Sequence, residues 1–166
     1  MQFNFLIILA AAVVPIIIGG IWYNPKVFGK AWMEASGLTE EKLKGANMAK
    51  IFIITFIFMC FLAFLMCALV IHQFHVGGLL STQPDSGDPN STSMQMLKKF
   101  MELYGTSYRT FKHGAFHGTL AGIMIALPII GTNALFERKG FKYIAINAGY
   151  WIVSMALMGG VLCAFL

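Results

Sequence analysis

Ile51–Val76 reads IFIITFIFMCFLAFLMCALVIHQFHV, without one Asp, Glu, Lys or Arg. A run this long and apolar exceeds the roughly 20 residues that a helix needs to cross a hydrocarbon core. In lipid no water is available to satisfy backbone N–H and C=O groups, so the segment must be helical. Working outward, the fixed charges fall at residues 26–50, 85–112 and 137–142, and they separate three further uncharged runs at 1–25, 113–136 and 143–166. The expected spans are about 3–23, 49–76, 113–136 and 142–165. The chain is therefore read as an all-α integral membrane protein: one four-transmembrane-helix bundle over residues 1–166, with short interfacial helices in the connections. Long single runs exclude a β-barrel, whose strands are short and alternating.

Composition agrees. Of 166 residues 58% are hydrophobic and 11% charged, and the mean hydropathy is +0.73, outside the balance of a soluble globular domain. Polar, aromatic-rich sequence follows the first span directly, so that span is expected to persist as an anchor rather than leave as a signal peptide. Cys60, Cys67 and Cys163 all fall inside spans and suggest packing, not a disulfide framework. The net charge of +5 is explained by topology without nucleic acid. Lys26, Lys30, Lys42, Lys44, Lys50, Arg138, Lys139 and Lys142 flank one side of the bundle. Lys98, Lys99, Arg109 and Lys112 flank the other. Positive-inside counting makes the first side cytoplasmic and places both termini of this multi-pass chain outside the cytoplasm.

The inner connection, Trp22 to Gly45, opens on an Asn-Pro turn and sets Val27, Phe28, Ala31 and Trp32 at helical spacing, which predicts a short helix on the inner interface. Trp22, Tyr23, Trp32, Tyr143, Tyr150 and Trp151 gather at this end as an aromatic belt. The outer connection, residues 77–112, begins as a Gly-, Ser-, Pro- and Asp-rich loop. It continues as an amphipathic helix with Met94, Leu97, Met101, Tyr104, Tyr108 and Phe111 on one stripe.

Two stretches carry a family likeness: GGIWYNPKVFGKAW (Gly19 to Trp32) and TNALFERKGFKYIAINAGYWIVSMALMGG (Thr132 to Gly160). They resemble a bacterial inner-membrane family known only as domain of unknown function 1761. Trp22, Tyr23, Pro25, Phe28, Gly29, Trp32, Asn133, Asn147, Gly149 and Tyr150 match its motif. The resemblance implies a four-helix membrane protein and supplies no activity, substrate or catalytic residue. The long outer connection and its histidines look like additions to the family's shorter pattern. An internal echo joins Pro15, three isoleucines and Gly19 to Pro128, two isoleucines and Gly131, as two parallel helical hairpins would produce.

Three constellations bear on function. Gly114, Gly118 and Gly122 recur at four-residue steps on helix three and let another helix approach closely. With Gly149 of helix four they fit tight packing between helices three and four, or a subunit interface. His72 and His75 are expected to close helix two, and His113 and His117 to open helix three, with His72 near the depth of His117 and His75 near that of His113. Such rings either hydrogen-bond water and headgroups at the interface, or hold a transition metal or haem, or serve proton or quinone chemistry. Met94, Met96 and Met101 on the same side would suit copper(I). At the inner end Asn133 and Asn147 lie near Trp22, Tyr23, Asn24 and Tyr150, as interhelical hydrogen bonds or as a small-molecule pocket.

No nucleotide-binding glycine loop, zinc-protease motif or nucleophile–base pair is present, and no carboxylate lies inside a span. The leading expectation is a non-enzymatic membrane protein acting by helix packing, as a homo-oligomer or an accessory subunit, with no cofactor. The alternative is a binding protein or carrier that uses the outer histidines for metal or haem, or the inner cluster for a small molecule.

Overall fold

The computed structural model describes residues 4–166, apart from the side chain of residue 40. Its helices in chain order are α1 (Phe5–Trp22), α2 (Gly29–Ser36), α3 (Glu40–Leu43), α4 (Met48–Val70), α5 (Gln73–Ser81), α6 (Thr92–Tyr104), α7 (Phe111–Ala121), a π turn (Gly122–Ala126), α8 (Leu127–Phe136) and α9 (Phe141–Phe165). The π turn joins α7 and α8 into one span, so four helices are long and apolar enough to cross a membrane: Phe5–Trp22, Met48–Val70, Phe111–Phe136 and Phe141–Phe165. The expected start at Phe3 lies outside the described residues.

The bundle is built around α9. Half of its apolar window is buried, against 22%, 28% and 17% for the other three spans, because α1, α4 and α7 all pack on it. Small residues let them close in. Ala11, Ala12 and Ala63 are fully buried beside Met66, Val70, Met158, Leu162 and Cys163, in a core of small and flexible side chains. The large apolar side chains of α4, among them Phe52, Phe58, Phe61 and Leu65, are exposed instead. That outward display is expected of a helix solvated by acyl chains. The three cysteines are free thiols, in keeping with a packing role.

One boundary differs from the expected plan. Helix two does not run to Val76 but stops at Val70, where Ile71 takes an extended conformation (φ −118°, ψ 100°). His72 then precedes a separate helix, α5. Hydropathy passes straight through this break, so only tertiary packing explains it. Ile71 is fully buried, and the buried Gln73 donates hydrogen bonds to the carbonyls of Tyr104 (2.7 Å) and Ser107 (2.9 Å). The solvated loop expected from Gly77 is consequently helical to Ser81 before it turns. The amphipathic segment forms as α6, capped by Ser91, whose hydroxyl accepts from the Met94 N–H, and packs on α5. It stops at Tyr104, so of the expected stripe Tyr108 lies in the following turn and Phe111 opens α7.

At the opposite end Asn24 makes the Asn-Pro turn. Its side-chain oxygen accepts from the Lys26 N–H and its carbonyl from Val27 and Gly29. The interfacial helix begins at Gly29 rather than Val27 and is tied to the last connection. Lys139 donates to the Ser36 carbonyl (2.7 Å), and Lys142 pairs with Glu34.

Candidate metal centre

The break after Val70 turns His72 toward α7, where His113 and His117 stand one turn apart. His72 meets both. Its Nε2 lies 3.0 Å from Nε2 of His113. The ring centroids are separated by 5.0 Å (His72 and His113), 4.9 Å (His72 and His117) and 4.5 Å (His113 and His117). One ligand nitrogen from each ring can be chosen so that all three lie within 4.8 Å of one another. Zinc or copper held at about 2.0–2.1 Å by three imidazoles sets their nitrogens about 3.4 Å apart, so the triad needs only small rotations to close on an ion. A haem with two axial imidazoles needs its ligand nitrogens about 4 Å apart, on opposite sides of the iron. The 3.0 Å His72–His113 contact does not suit that geometry.

The surroundings hold the rings in place. Thr110 caps α7, its hydroxyl accepting from the His113 N–H. Tyr108 occupies the left-handed region (φ 60°), uncommon for a large side chain, and lays its ring 5.2 Å from that of His113. The Tyr108 conformation is tied down by the Thr110 N–H and the Cys163 thiol, both donating to its carbonyl. Arg109 donates to the Cys163 carbonyl (2.9 Å) near the end of α9, where a cation also complements the helix dipole.

Two expectations about the histidines are corrected. His75 is not part of the cluster: the break at Ile71 precedes both residues, the His72 backbone is already helical (φ −60°, ψ −30°) and its carbonyl accepts from the His75 N–H, and only the His72 ring meets α7. His72 does lie beside His117 as expected, with 4.9 Å between ring centroids, but it also meets His113, the partner expected for His75. Met94, Met96 and Met101 sit on α6, and Met96 is exposed.

The glycine stripe is used within the chain. A Cβ on Gly114 would collide with the Gly159 carbonyl and one on Gly118 with the Met155 carbonyl, while one on Gly122 would stand 2.6 Å from Ile152 Cα. All three faces belong to α9. Gly159, not marked by the sequence reading, completes the closest approach, with Gly114 O 2.6 Å from its own would-be Cβ. Gly149 serves a different neighbour, the Trp22 ring at 3.1 Å.

At the far end the Trp22 indole donates to the Ile146 carbonyl (3.0 Å), the Tyr23 hydroxyl to Asn147 Oδ1 (3.0 Å), and the Asn147 amide to the Tyr143 carbonyl (2.8 Å). Tyr150 donates to the carbonyl of Pro15 (2.9 Å), and its ring lies 5.2 Å from Tyr23. Asn147 thus makes the interhelical bond expected of it. Asn133 does not: it is exposed and lines a recess of about 230 Å³ with Glu137, Tyr143 and Asn147. Asn24 is spent on its own turn.

A family model described as protein of unknown function (DUF1761) matches residues 6–163, nearly the whole chain. The chain belongs to the DUF1761 family. No curated protein and no solved structure matches it. Within this DUF1761 chain, the motif residues Trp22, Tyr23, Gly29, Asn147, Gly149 and Tyr150 all make contacts between α1, its following turn and α9. Gly29 lies so close to the backbone of Tyr23 and Asn24 that any side chain would clash.

Proposed function

We propose that this DUF1761 protein is a non-enzymatic, multi-pass membrane protein that holds one transition-metal ion, zinc or copper, at the histidine end of its bundle. The observation that carries this reading is the convergence of His72, at the break after the second span, on His113 and His117 of the third. Neutral imidazole is a common ligand for both metals, and three leave a fourth position open. An open position suits receiving an ion and passing it on, as a carrier or an accessory subunit of a larger membrane assembly would. On the charge count the histidine end faces away from the cytoplasm of a bacterial inner membrane. A partner subunit or second copy would dock on the exposed apolar side of α4, since the glycine stripe is occupied by α9.

The test is metal analysis of the purified protein, as isolated and after loading with Zn²⁺ or Cu²⁺ and desalting. One ion per chain is expected, and a His72→Ala, His117→Ala double variant should keep none. Wild-type protein that retains no metal after loading, or a double variant that retains as much as wild type, overturns the proposal.

A further inference from the structure

The span Phe111–Phe136 is not a uniform helix. At its middle the Leu127 N–H bonds the Gly122 carbonyl five residues back, and Pro128, which has no N–H to offer, follows at once. A π turn of this kind widens the helix locally and is often found at functional sites. Its consequence is that α8 packs on α9 without substantial contact with α4. An apolar trough of about 350 Å³ opens between them, with Met59 and Leu62 of α4 on one wall and Ile125 and Ile129 on the other. Ile130 and Trp151 line both this trough and the polar recess at Asn133, Glu137, Tyr143 and Asn147. The two adjoin at these side chains, an apolar groove at mid-bundle with a polar recess beside it.

We propose that this groove binds one molecule of a phospholipid with a primary-amine headgroup, its ammonium on Glu137 and one acyl chain in the trough. Length argues for a lipid over a partner helix. From Ile125 to Glu137 the helix rises about 18 Å, close to the roughly 15 Å that one leaflet contributes to a 30 Å core, whereas a docking helix would need the full span. Charge chooses the headgroup. Glu137 is the ionisable acid lining the mouth, and neither its carboxylate nor the Asn133 amide bonds any other described side chain or backbone group. A carboxylate only accepts hydrogen bonds, and a primary ammonium brings three donors, while a choline headgroup brings none. Lys139, whose Nζ donates to the Ser36 carbonyl, lies 5.9 Å from the centre of the Tyr143 ring that lines the same mouth. The proposal is independent of the histidine site.

Full-length protein reconstituted with equal phosphatidylethanolamine, phosphatidylcholine and phosphatidylglycerol, then extracted in mild detergent, would be examined by native mass spectrometry. One phosphatidylethanolamine per chain is expected. Glu137→Gln, at an exposed position, should lower its retention about tenfold, as loss of a charge-assisted contact implies. Ala126→Trp should fill the trough and abolish retention, with a melting curve confirming that this variant is folded. Equal retention of the three lipids, preference for phosphatidylglycerol, or a Glu137→Gln variant that holds phosphatidylethanolamine like wild type would each overturn the assignment.

Discussion

His72 is the residue that joins the candidate metal site to the second helix, and its position depends on the backbone of its neighbour. Ile71 leaves the helix, and the imidazole swings onto His113 and His117. If the three rings act as ligands, replacing any one with alanine should abolish stable metal retention, while His75→Ala should leave the zinc stoichiometry unchanged. Retention that falls equally in the His75 variant would mean that the cluster is defined wrongly. Metal should also leave on acidification. Imidazole binds metal only when neutral, so protons compete for the ligand nitrogens as pH falls. Zinc content measured by desalting at stepped pH should hold at pH 8 and be lost by about pH 5. The type and spacing of these residues were visible in the sequence. Which three of the four would meet was not, because a helix break of one residue leaves hydropathy unchanged.

Between elements, the approach of α7 to α9 is set by glycines facing backbone carbonyls, which cannot move aside as a flexible side chain would. Gly118→Ala should therefore destabilise the bundle by about 1–3 kcal/mol, and Gly118→Leu by more. Gly20→Ala is the contrasting case. Nothing lies within 4 Å of its would-be Cβ, so the substitution should be neutral or stabilise by up to about 1 kcal/mol through helix propensity. Thermal unfolding of both variants in one detergent compares them directly, and a Gly118→Ala protein as stable as wild type would refute the close-approach account. The four-residue repeat of Gly114, Gly118 and Gly122 was legible as a packing face. Its partner was not, since a stripe of small residues suits a helix of the same chain as well as one of another.

At the scale of the whole molecule, charge placement yields a topology that labelling can check. With the turn after α2 cytoplasmic and the turn after α5 external, a membrane-impermeant maleimide applied to intact cells should label Ser86→Cys and not Thr39→Cys. The reverse pattern would invert the orientation and move the histidine end to the cytoplasm. The same charged end carries a pH-sensitive tie. Hydrogen bonding and charge from Lys142 hold the Glu34 carboxyl below its ordinary range. A carboxylate depressed in the folded state adds stability above its unfolded pKa and loses it as pH falls through the folded value. Docking of α2 on α9 should thus weaken slightly in acid, and Glu34→Gln should remove that part of the acid sensitivity while lowering stability a little at neutral pH. Because the pair is exposed and solvent-screened, the effect will be small.

The sequence by itself determined the number of spans, their helical state and their approximate limits, because the cost of unpaired backbone groups in lipid leaves an apolar run of that length no other form. It also marked the glycine face, the amphipathic α6 and the aromatic end, whose signals are local periodicities. Only the tertiary structure decided that α9 is the buried helix, that helix two ends at Val70, that Asn147 is engaged while Asn133 is left at an open mouth, and that a π turn before Pro128 parts α8 from α4. The end of helix two and the burial of α9 rest on residues far apart in the chain: Gln73 with Tyr104 and Ser107, Tyr150 with Pro15, Gly114 with Gly159. A pattern read along one segment carries the preferences of that segment, whereas these contacts are set by what the other helices bring to meet it.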